Sequence, residues 1–189
     1  MEPLRPYDRL PSQMEHGGKI YDLDLSYAAF FAALDALQDP RLSDQLRLDT
    51  ALEILVRTPH ESNPELLQAV LDLLQDDRPH TDGPKTLDIV QDWPYICAAF
   101  RQAYGIDLYE DKGLHILQFR AYLQAIPKET KLAEIIGIRA APVPAPTKYN
   151  QQQIAELTRL KATYALRGGA SSFQDGLAKL FDMLSKRAK

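Results

Sequence analysis

Apolar residues recur every three or four positions along most of this chain, in segments bounded by helix-starting and helix-ending residues. This spacing places the apolar side chains on one face of an α-helix. Ser26 and Ser43 precede two such segments as N-caps, and Asn63 followed by Pro64 starts a third. Pro40 disfavours helical geometry at the residue before it and so separates the first two helices. The pattern predicts a mainly α protein, a multi-helix bundle.

Each predicted helix carries an apolar stripe that we expect to be buried. In the first three helices the stripes are Phe30, Leu34 and Leu37; Leu46, Leu52, Leu55 and Val56; and Leu66, Leu67, Val70, Leu71 and Leu74. Asp92 is predicted to cap a fourth helix, which Gly105 ends because glycine tolerates the left-handed conformation of a helix terminus. Two further helical segments follow, "GLHILQFRAYLQAIP" and "KETKLAEIIGI".

A β-hairpin is predicted ahead of the first helix. Gly17 and Gly18 lie between two short segments, and a glycine pair supplies the positive φ angles of a tight hairpin turn. Ile20, Leu23 and Leu25 give the second segment an imperfect apolar alternation. An isolated two-stranded hairpin is only marginally stable in water, so we expect this one to pack against helices.

The predicted organisation has three parts. Residues 1–139 form a helical body that includes the hairpin, with an internal break near 76–87, where turn-forming residues cluster. Residues 140–149 contain three prolines and are predicted to form an extended linker. Residues 150–189 form a C-terminal segment of two amphipathic helices, separated by Gly168 and Gly169.

The C-terminal helices carry narrow apolar stripes that need a surface to bury them. Their positions are Ile154, Leu157, Leu160 or Lys161, and Tyr164 on the first helix, and Phe173, Leu177, Leu180, Phe181 and Leu184 on the second. That surface is the body of the same chain, a second subunit or a different protein. The sequence leaves these three alternatives open.

The charge is distributed unevenly along the chain. Residues 1–147 carry 14 Lys and Arg against 23 Asp and Glu, whereas residues 148–189 carry 8 against 3. The basic end is either a solvated helical face or a surface for an acidic partner. It lacks a dense Lys and Arg stripe interleaved with aromatic residues, so we do not expect nucleic acid as a partner.

Cysteine content and hydropathy indicate the compartment. Cys97 is the only cysteine, so no internal disulfide forms, as is typical of a reducing cytoplasm. No apolar stretch is long enough to cross a bilayer, and the N-terminal sequence does not resemble a signal peptide. We therefore expect neither membrane insertion nor secretion.

The stretch "YGIDLYEDKGLHILQF" holds three acids, two glycines and a histidine, and is the strongest candidate for a chemical site. A calcium loop starting at Asp107 would require a bidentate glutamate as its twelfth residue, where Gln118 stands. We instead interpret the stretch as an inter-helix joint, with Asp111 capping the following helix and Ile106 and Leu108 turned inward.

His115 and Cys97 are predicted to have packing roles. No second histidine lies at helical spacing from His115, and nothing in the sequence orients a Cys97–His115 nucleophile pair. Trp93, Tyr95, Phe100 and Tyr104 are core residues by default, although they could form an aromatic docking surface. No phosphate-binding glycine loop, nucleophile elbow or paired-histidine zinc motif occurs, so we expect no enzyme, metal or cofactor.

An ordered series of motifs resembles the bacteriophage gene product 15 family, found in tailed phages and in prophages of Gram-positive bacteria. The motifs are "RLPSQMEHGGKIYDLDLSYAAFFAALDAL", "FRQAYGIDL", "LHILQFRAYLQAIP", "TKLAEIIGIR" and "YNQQQIAELTRLKATYAL". The resemblance extends to about Leu166 and does not include the last helix. Ile116 stands where the family often has a bulkier aromatic residue, a change in packing.

The resemblance implies a role but supplies no catalytic residues. It implies a tail assembly chaperone in the host cytoplasm that holds the tape measure protein, or other tail proteins, and that can self-associate. The partner-binding residues would be Ile154, Leu157, Leu160, Phe173, Leu177, Leu180 and Phe181. A structural virion component, such as a tail or connector subunit, is the alternative.

Overall fold

The computed structural model describes residues 9–74 and 85–167, which fold into two compact units. The first unit contains residues 9–74 and 111–121, and the second contains residues 85–110 and 122–167. Within these residues lie two strands and seven helices, so the predicted mainly α class with an N-terminal hairpin is confirmed. The break predicted near 76–87 lies largely outside the described residues.

The hairpin consists of β1 (Gln13–His16) and β2 (Lys19–Asp22), paired antiparallel with His16 opposite Lys19. Gly17 and Gly18 have φ values of 59° and 76°, which glycine adopts without steric cost, and this confirms the predicted turn. The backbone amide of Arg57 donates to the carbonyl of Asp22 at 2.8 Å, so the hairpin is anchored to the end of a helix.

Two serine N-caps start the first pair of helices, α1 (Tyr27–Gln38) and α2 (Asp44–Leu55). Ser26 Oγ accepts from the amide of Ala29 at 3.2 Å, and Ser43 Oγ accepts from the amide of Leu46 at 3.3 Å. α1 and α2 pack against each other. Leu46 was expected in the buried stripe, but it is 49% exposed, because Leu48, Leu52 and Leu55 form the buried face.

The third helix, α3 (Pro64–Asp72), starts as its sequence predicts. Asn63 Oδ1 accepts from the amides of Glu65 and Leu66 at 2.8 and 3.4 Å, and Pro64 occupies a position that needs no amide donor. Arg120 Nη1 donates to the carbonyl of Leu74 at 2.7 Å, beyond the end of this helix.

The remaining helices are α4 (Trp93–Tyr104), α5 (Ile116–Gln124), α6 (Lys131–Ala140) and α7 (Gln151–Thr163). Gly105 ends α4 in the left-handed conformation, with φ 70° and its amide 3.1 Å from the carbonyl of Arg101, as predicted. Thr130 caps α6 by accepting from the amide of Ala133 at 3.2 Å.

Each unit buries large apolar side chains. In the first unit these are Phe30, Leu52, Leu55, Leu66, Leu67, Leu71, Leu74, Ile116 and Phe119. In the second unit they are Ile96, Phe100 and Leu108, together with Leu132 and Ile135 of α6. Ile20 differs from Leu23 and Leu25: it is 63% exposed, whereas those two leucines are buried.

Residues 142–147, between α6 and α7, have neither helix nor strand and are exposed. The three-part division of the chain, with residues 140–149 as a linker, stays a prediction. In the described ranges, no helix is long and apolar enough to cross a membrane.

Two glycines of the second unit provide opposite tests of backbone conformation. Nothing would contact a Cβ at either Gly105 or Gly137, so alanine changes only the backbone terms. Gly105→Ala places a side chain at φ 70° and should lower the free energy of unfolding by about 1–2 kcal/mol. Gly137→Ala, inside α6, should raise it by about 0.5–1 kcal/mol. Urea unfolding measures both, and shifts of the same sign would contradict this account.

Candidate functional site

The acids of the stretch 104–119 have structural roles. Asp107 Oδ1 accepts from the amide of Tyr109 at 3.0 Å, and Asp107 Oδ2 is 3.0 Å from Arg101 Nη1. Glu110 and Asp111 are exposed, whereas Leu108 is buried and Ile106 is half-buried. The carboxylates thus stabilise a turn or face solvent, which agrees with the interpretation of this stretch as a joint. No cluster of three or more His, Cys, Asp or Glu that could hold a metal occurs in residues 9–74 and 85–167.

His115 is the residue that caps α5. Its Nδ1 is 3.1 Å from the amide of Leu117, and its Nε2 is 3.0 Å from the carbonyl of Pro11. Since a carbonyl can only accept, Nε2 carries the proton and Nδ1 accepts from the helix amide. The prediction that Asp111 caps this helix is wrong, because α5 begins at Ile116, five residues later.

The environment of His115 favours its neutral form. Burial lowers the pKa of His115, and the hydrogen bond to the carbonyl of Pro11 offsets part of this effect. Protonation would also remove the acceptor that caps α5. The predicted packing role of His115 is therefore confirmed, with the added function of a helix cap.

Cys97 is buried in α4, and burial raises the pKa of its thiol. A hydrogen bond between the thiol and the side chain of Tyr109 acts in the opposite direction without reversing the shift. The thiol stays protonated near neutral pH, as expected of a packing cysteine rather than a nucleophile.

The aromatic residues of α4 are partly core residues. Phe100 is fully buried, and the rings of Tyr104 and Tyr122 stack with their centroids 4.7 Å apart. The hydroxyl of Tyr104 donates to the carbonyl of Tyr122 at 2.9 Å. Trp93 and Tyr95 are half-buried. Phe100 and Tyr104 thus pack within the second unit, as the default interpretation expected.

Asp92 does not cap α4 with its side chain, contrary to the sequence prediction. Its two carboxylate oxygens instead lie 2.8 and 2.6 Å from the two terminal nitrogens of Arg139, forming a bidentate pair. Oδ2 also accepts from the amide of Asp88 at 2.9 Å. The side chains of Asp92 and Arg139 are 1% and 7% exposed, so this is a buried ion pair.

Arg139 also binds backbone carbonyls on two further segments. Its Nε donates to the carbonyl of Tyr164 at 2.6 Å, just past α7, and its Nη1 donates to the carbonyl of Thr86 at 2.9 Å. In return, Lys161 Nζ donates to the carbonyl of Arg139 at 2.8 Å. One guanidinium therefore joins α6, the end of α7 and the segment before α4.

Gln91 adds a second attachment for the end of α7. Its Nε2 donates to the carbonyl of Ala165 at 2.9 Å, and its Oε1 accepts from the amide of Arg167 at 2.8 Å. Neither Arg139 nor Gln91 was identified from the sequence. Both lie in otherwise ordinary helical or turn segments, and their partners are separated from them by 22 residues or more.

The predicted partner-binding stripe is described only in its first half. Ile154, Leu157 and Leu160 are half-buried, and α7 packs against α6 of its own unit. The residues facing outward from α7 include Gln152, Glu156 and Arg159, and the last two pair with each other at 2.6 Å. Phe173, Leu177, Leu180 and Phe181 lie outside the described residues. Their role in partner binding stays a prediction.

A comparison with protein-family models finds one described as "Bacteriophage Gp15 protein", which matches residues 7–166. No curated protein and no solved structure matches the chain. The matched range includes the hairpin and all seven described helices, together with Arg139 and Gln91.

The buried pair predicts a large loss of stability on removal of its cation. Arg139→Met leaves the carboxylate of Asp92 buried without its counter-ion and should lower the free energy of unfolding by about 3–5 kcal/mol. Arg101→Met removes the guanidinium of an exposed pair in the same unit and should cost less than about 1 kcal/mol. Urea unfolding of both variants measures the difference, and equal losses would contradict the assigned role of Arg139.

The lowered pKa of His115 predicts that the contribution of this residue to stability depends on pH. Because its folded pKa lies below the ordinary value of about 6.5, the unfolded chain takes up the proton first as the pH falls. The stabilisation is complete above about pH 6.5 and decreases below it. His115→Asn keeps an acceptor at the N-cap without a titrating ring. Urea unfolding at pH 7.5 and 5.5 should show a smaller loss in the variant than in the wild type, while the other histidines cancel in the comparison. An equal loss would contradict the prediction.

Proposed function

The chain belongs to the bacteriophage Gp15 protein family, and we propose that it is a non-enzymatic tail assembly chaperone that binds and shields the tape measure protein. Family membership is the observation that carries the proposal. It supports a phage-related role in structure or morphogenesis, and the match includes most of the chain. The tape measure protein as partner, and the host cytoplasm as the location, are parts of the proposal.

The physical need for such a factor follows from the partner's expected form. A tape measure protein is expected to be a long, mainly helical chain with exposed apolar stripes, and large exposed apolar patches promote aggregation. A small helical protein shields such stripes when a helix of one protein packs into a groove of the other. The mainly helical fold and the amphipathic α7 are compatible with this mode, and self-association through the same stripes belongs to the proposal.

The contacts of the polar side chains support a non-enzymatic role. His115 uses both ring nitrogens in backbone contacts, the Asp92 carboxylate is paired with Arg139, and Asp107 stabilises a turn. Histidine and carboxylate groups can serve in acid–base chemistry, but each of these three has a structural task.

Co-expression with the cognate tape measure protein tests the proposal. We expect more tape measure protein in the soluble fraction than when it is expressed alone, and a complex that survives affinity purification of the tagged chain. Leu157→Gln should weaken that complex, whereas Ala155→Gln, on the exposed face of the same helix, should not. Urea unfolding of both variants separates a binding defect from a folding defect.

If the solubility of the tape measure protein is unchanged and no complex is purified, the tape measure proposal is wrong. Mass spectrometry of purified particles then distinguishes the alternative, because a tail or connector subunit remains in the particle and a chaperone does not.

A further inference from the structure

An open groove of about 640 Å³ lies in the first unit, alongside the first half of α1. Pockets that hold ligands commonly have volumes of about 300–1,000 Å³, so this groove accommodates several side chains of a partner rather than a whole helix. All its lining residues belong to the first unit. They come from the segment before β1, the segment between β2 and α1 together with α1 itself, Arg57 just after α2, and the residues before α5.

The floor of the groove is apolar and built from small residues. Ala28, Ala29 and Ala32 line it from α1, and Leu23 and Leu25 line it from the segment before α1. Phe30, on the same helix, is fully buried and does not line the groove. Because alanine occupies little space, the surface of α1 is recessed here, and an apolar side chain of a partner can be covered on several sides.

The polar groups around the groove that keep hydrogen-bonding capacity are mainly donors. Arg57 gives one terminal nitrogen to Asp24 at 2.8 Å and is 68% exposed, so the rest of its guanidinium remains available. Lys112 is exposed and has no hydrogen-bond or ion-pair partner in the described part of the chain. The amide of Ala28, in the first turn of α1, likewise has no acceptor among those residues.

The carboxylate of Asp24 and the side chains of Ser26 and His115, which also line the groove, are already engaged. Asp24 accepts from the amide of Ser26 at 3.1 Å and from Arg57, and Ser26 Oγ accepts from the amide of Ala29 at 3.2 Å. His115 uses both ring nitrogens. The unused capacity therefore favours a ligand that brings acceptors and negative charge, and the positive end of the α1 dipole has the same preference.

The net negative charge of the surrounding unit restricts where an acidic partner can bind. Its described residues carry 12 Asp and Glu against 7 Lys and Arg, so an acidic segment is repelled by most of the unit. Arg57 and Lys112 make the edge of the groove a local exception. Such an arrangement favours one placement of a partner over others.

We infer that this groove binds an acidic amphipathic helix of the tape measure protein, with its apolar side chains on the alanine floor and a carboxylate at Lys112 and Arg57. This inference rests on the proposed function and assigns its binding site to the first unit. It differs from the stripe predicted on α7, which belongs to the second unit.

The test measures binding of overlapping 20-residue peptides, which together span the cognate tape measure protein, to the full-length chain by fluorescence anisotropy. We expect the bound peptides to carry acids ahead of apolar residues at helical spacing. Lys112→Glu reverses the charge at the edge of the groove, and Ala32→Trp fills its floor from an exposed position. Each should weaken peptide binding by about tenfold or more.

Matched controls come from the second unit. Lys128→Glu and Ala155→Trp make the same changes at exposed positions and should leave peptide binding unchanged. Urea unfolding verifies that all four variants are folded. Added salt should weaken wild-type binding more than binding to Lys112→Glu, because the variant has lost an attractive charge contact.

Each outcome decides between the inference and the proposed function. If the peptides bind the groove variants as tightly as they bind the wild-type chain, the inference is overturned and the proposed function still stands. The same follows if the chain purifies with the whole tape measure protein but binds no peptide through the groove. If neither peptides nor the whole protein bind, both are overturned. A wild-type dimer that Ala32→Trp converts to a monomer would assign the groove to a second copy of this chain and overturn the inference.

Discussion

The buried ion pair between Asp92 and Arg139 is the contact on which the second unit depends. Burying either charge alone would be costly, so the bidentate geometry and the extra bonds to carbonyl groups are required for the pair to be tolerated. Those requirements order the surrounding chain, because the guanidinium fixes the segment before α4, the helix α6 and the end of α7 relative to one another. Replacing the pair with apolar residues could preserve stability, but the guanidinium has directional donors that select one arrangement of these three segments. Gln91 reinforces that arrangement at the residues that follow α7.

In the stretch between α4 and α5, residue types that are common in active sites make local structural contacts instead. Gly105 ends one helix, Asp107 closes a turn, and His115 begins the next helix with one ring nitrogen while its other nitrogen binds Pro11. The last contact joins positions 104 residues apart in the sequence, so the cap of α5 also attaches the segment before β1. Such residues cluster because a helix end leaves unpaired amides and carbonyls, and charged or polar side chains are the groups that satisfy them.

The proposed binding role draws on two observations, family membership and the geometry of the groove. The family indicates a phage protein with a role in structure or morphogenesis. The first unit has a recessed apolar floor with donors at its edge, which is suited to holding an acidic amphipathic segment without chemistry. The helix α7 differs from the isolated docking helix that its stripe suggested, because its apolar side is half-covered by the second unit. The groove and the stripe are both proposed contact surfaces for a helical partner, and the two surfaces belong to different units.

The sequence by itself determined the local structure. The caps at Ser26, Ser43 and Asn63, the turn at Gly17 and Gly18, and the helix end at Gly105 all follow from contacts within a few residues, and all were predicted. Three assignments required the tertiary structure. Asp92 stands where a cap is expected but pairs with Arg139, 47 residues away. Asp111 resembles a cap, yet α5 begins later with His115 in that role. Leu46 matches the helical stripe but faces solvent. The groove was likewise invisible in the sequence, since its lining comes from four separated segments. Periodicity and capping record interactions between near neighbours, whereas the pairing of distant charges and the shape of a surface depend on how the folded segments meet.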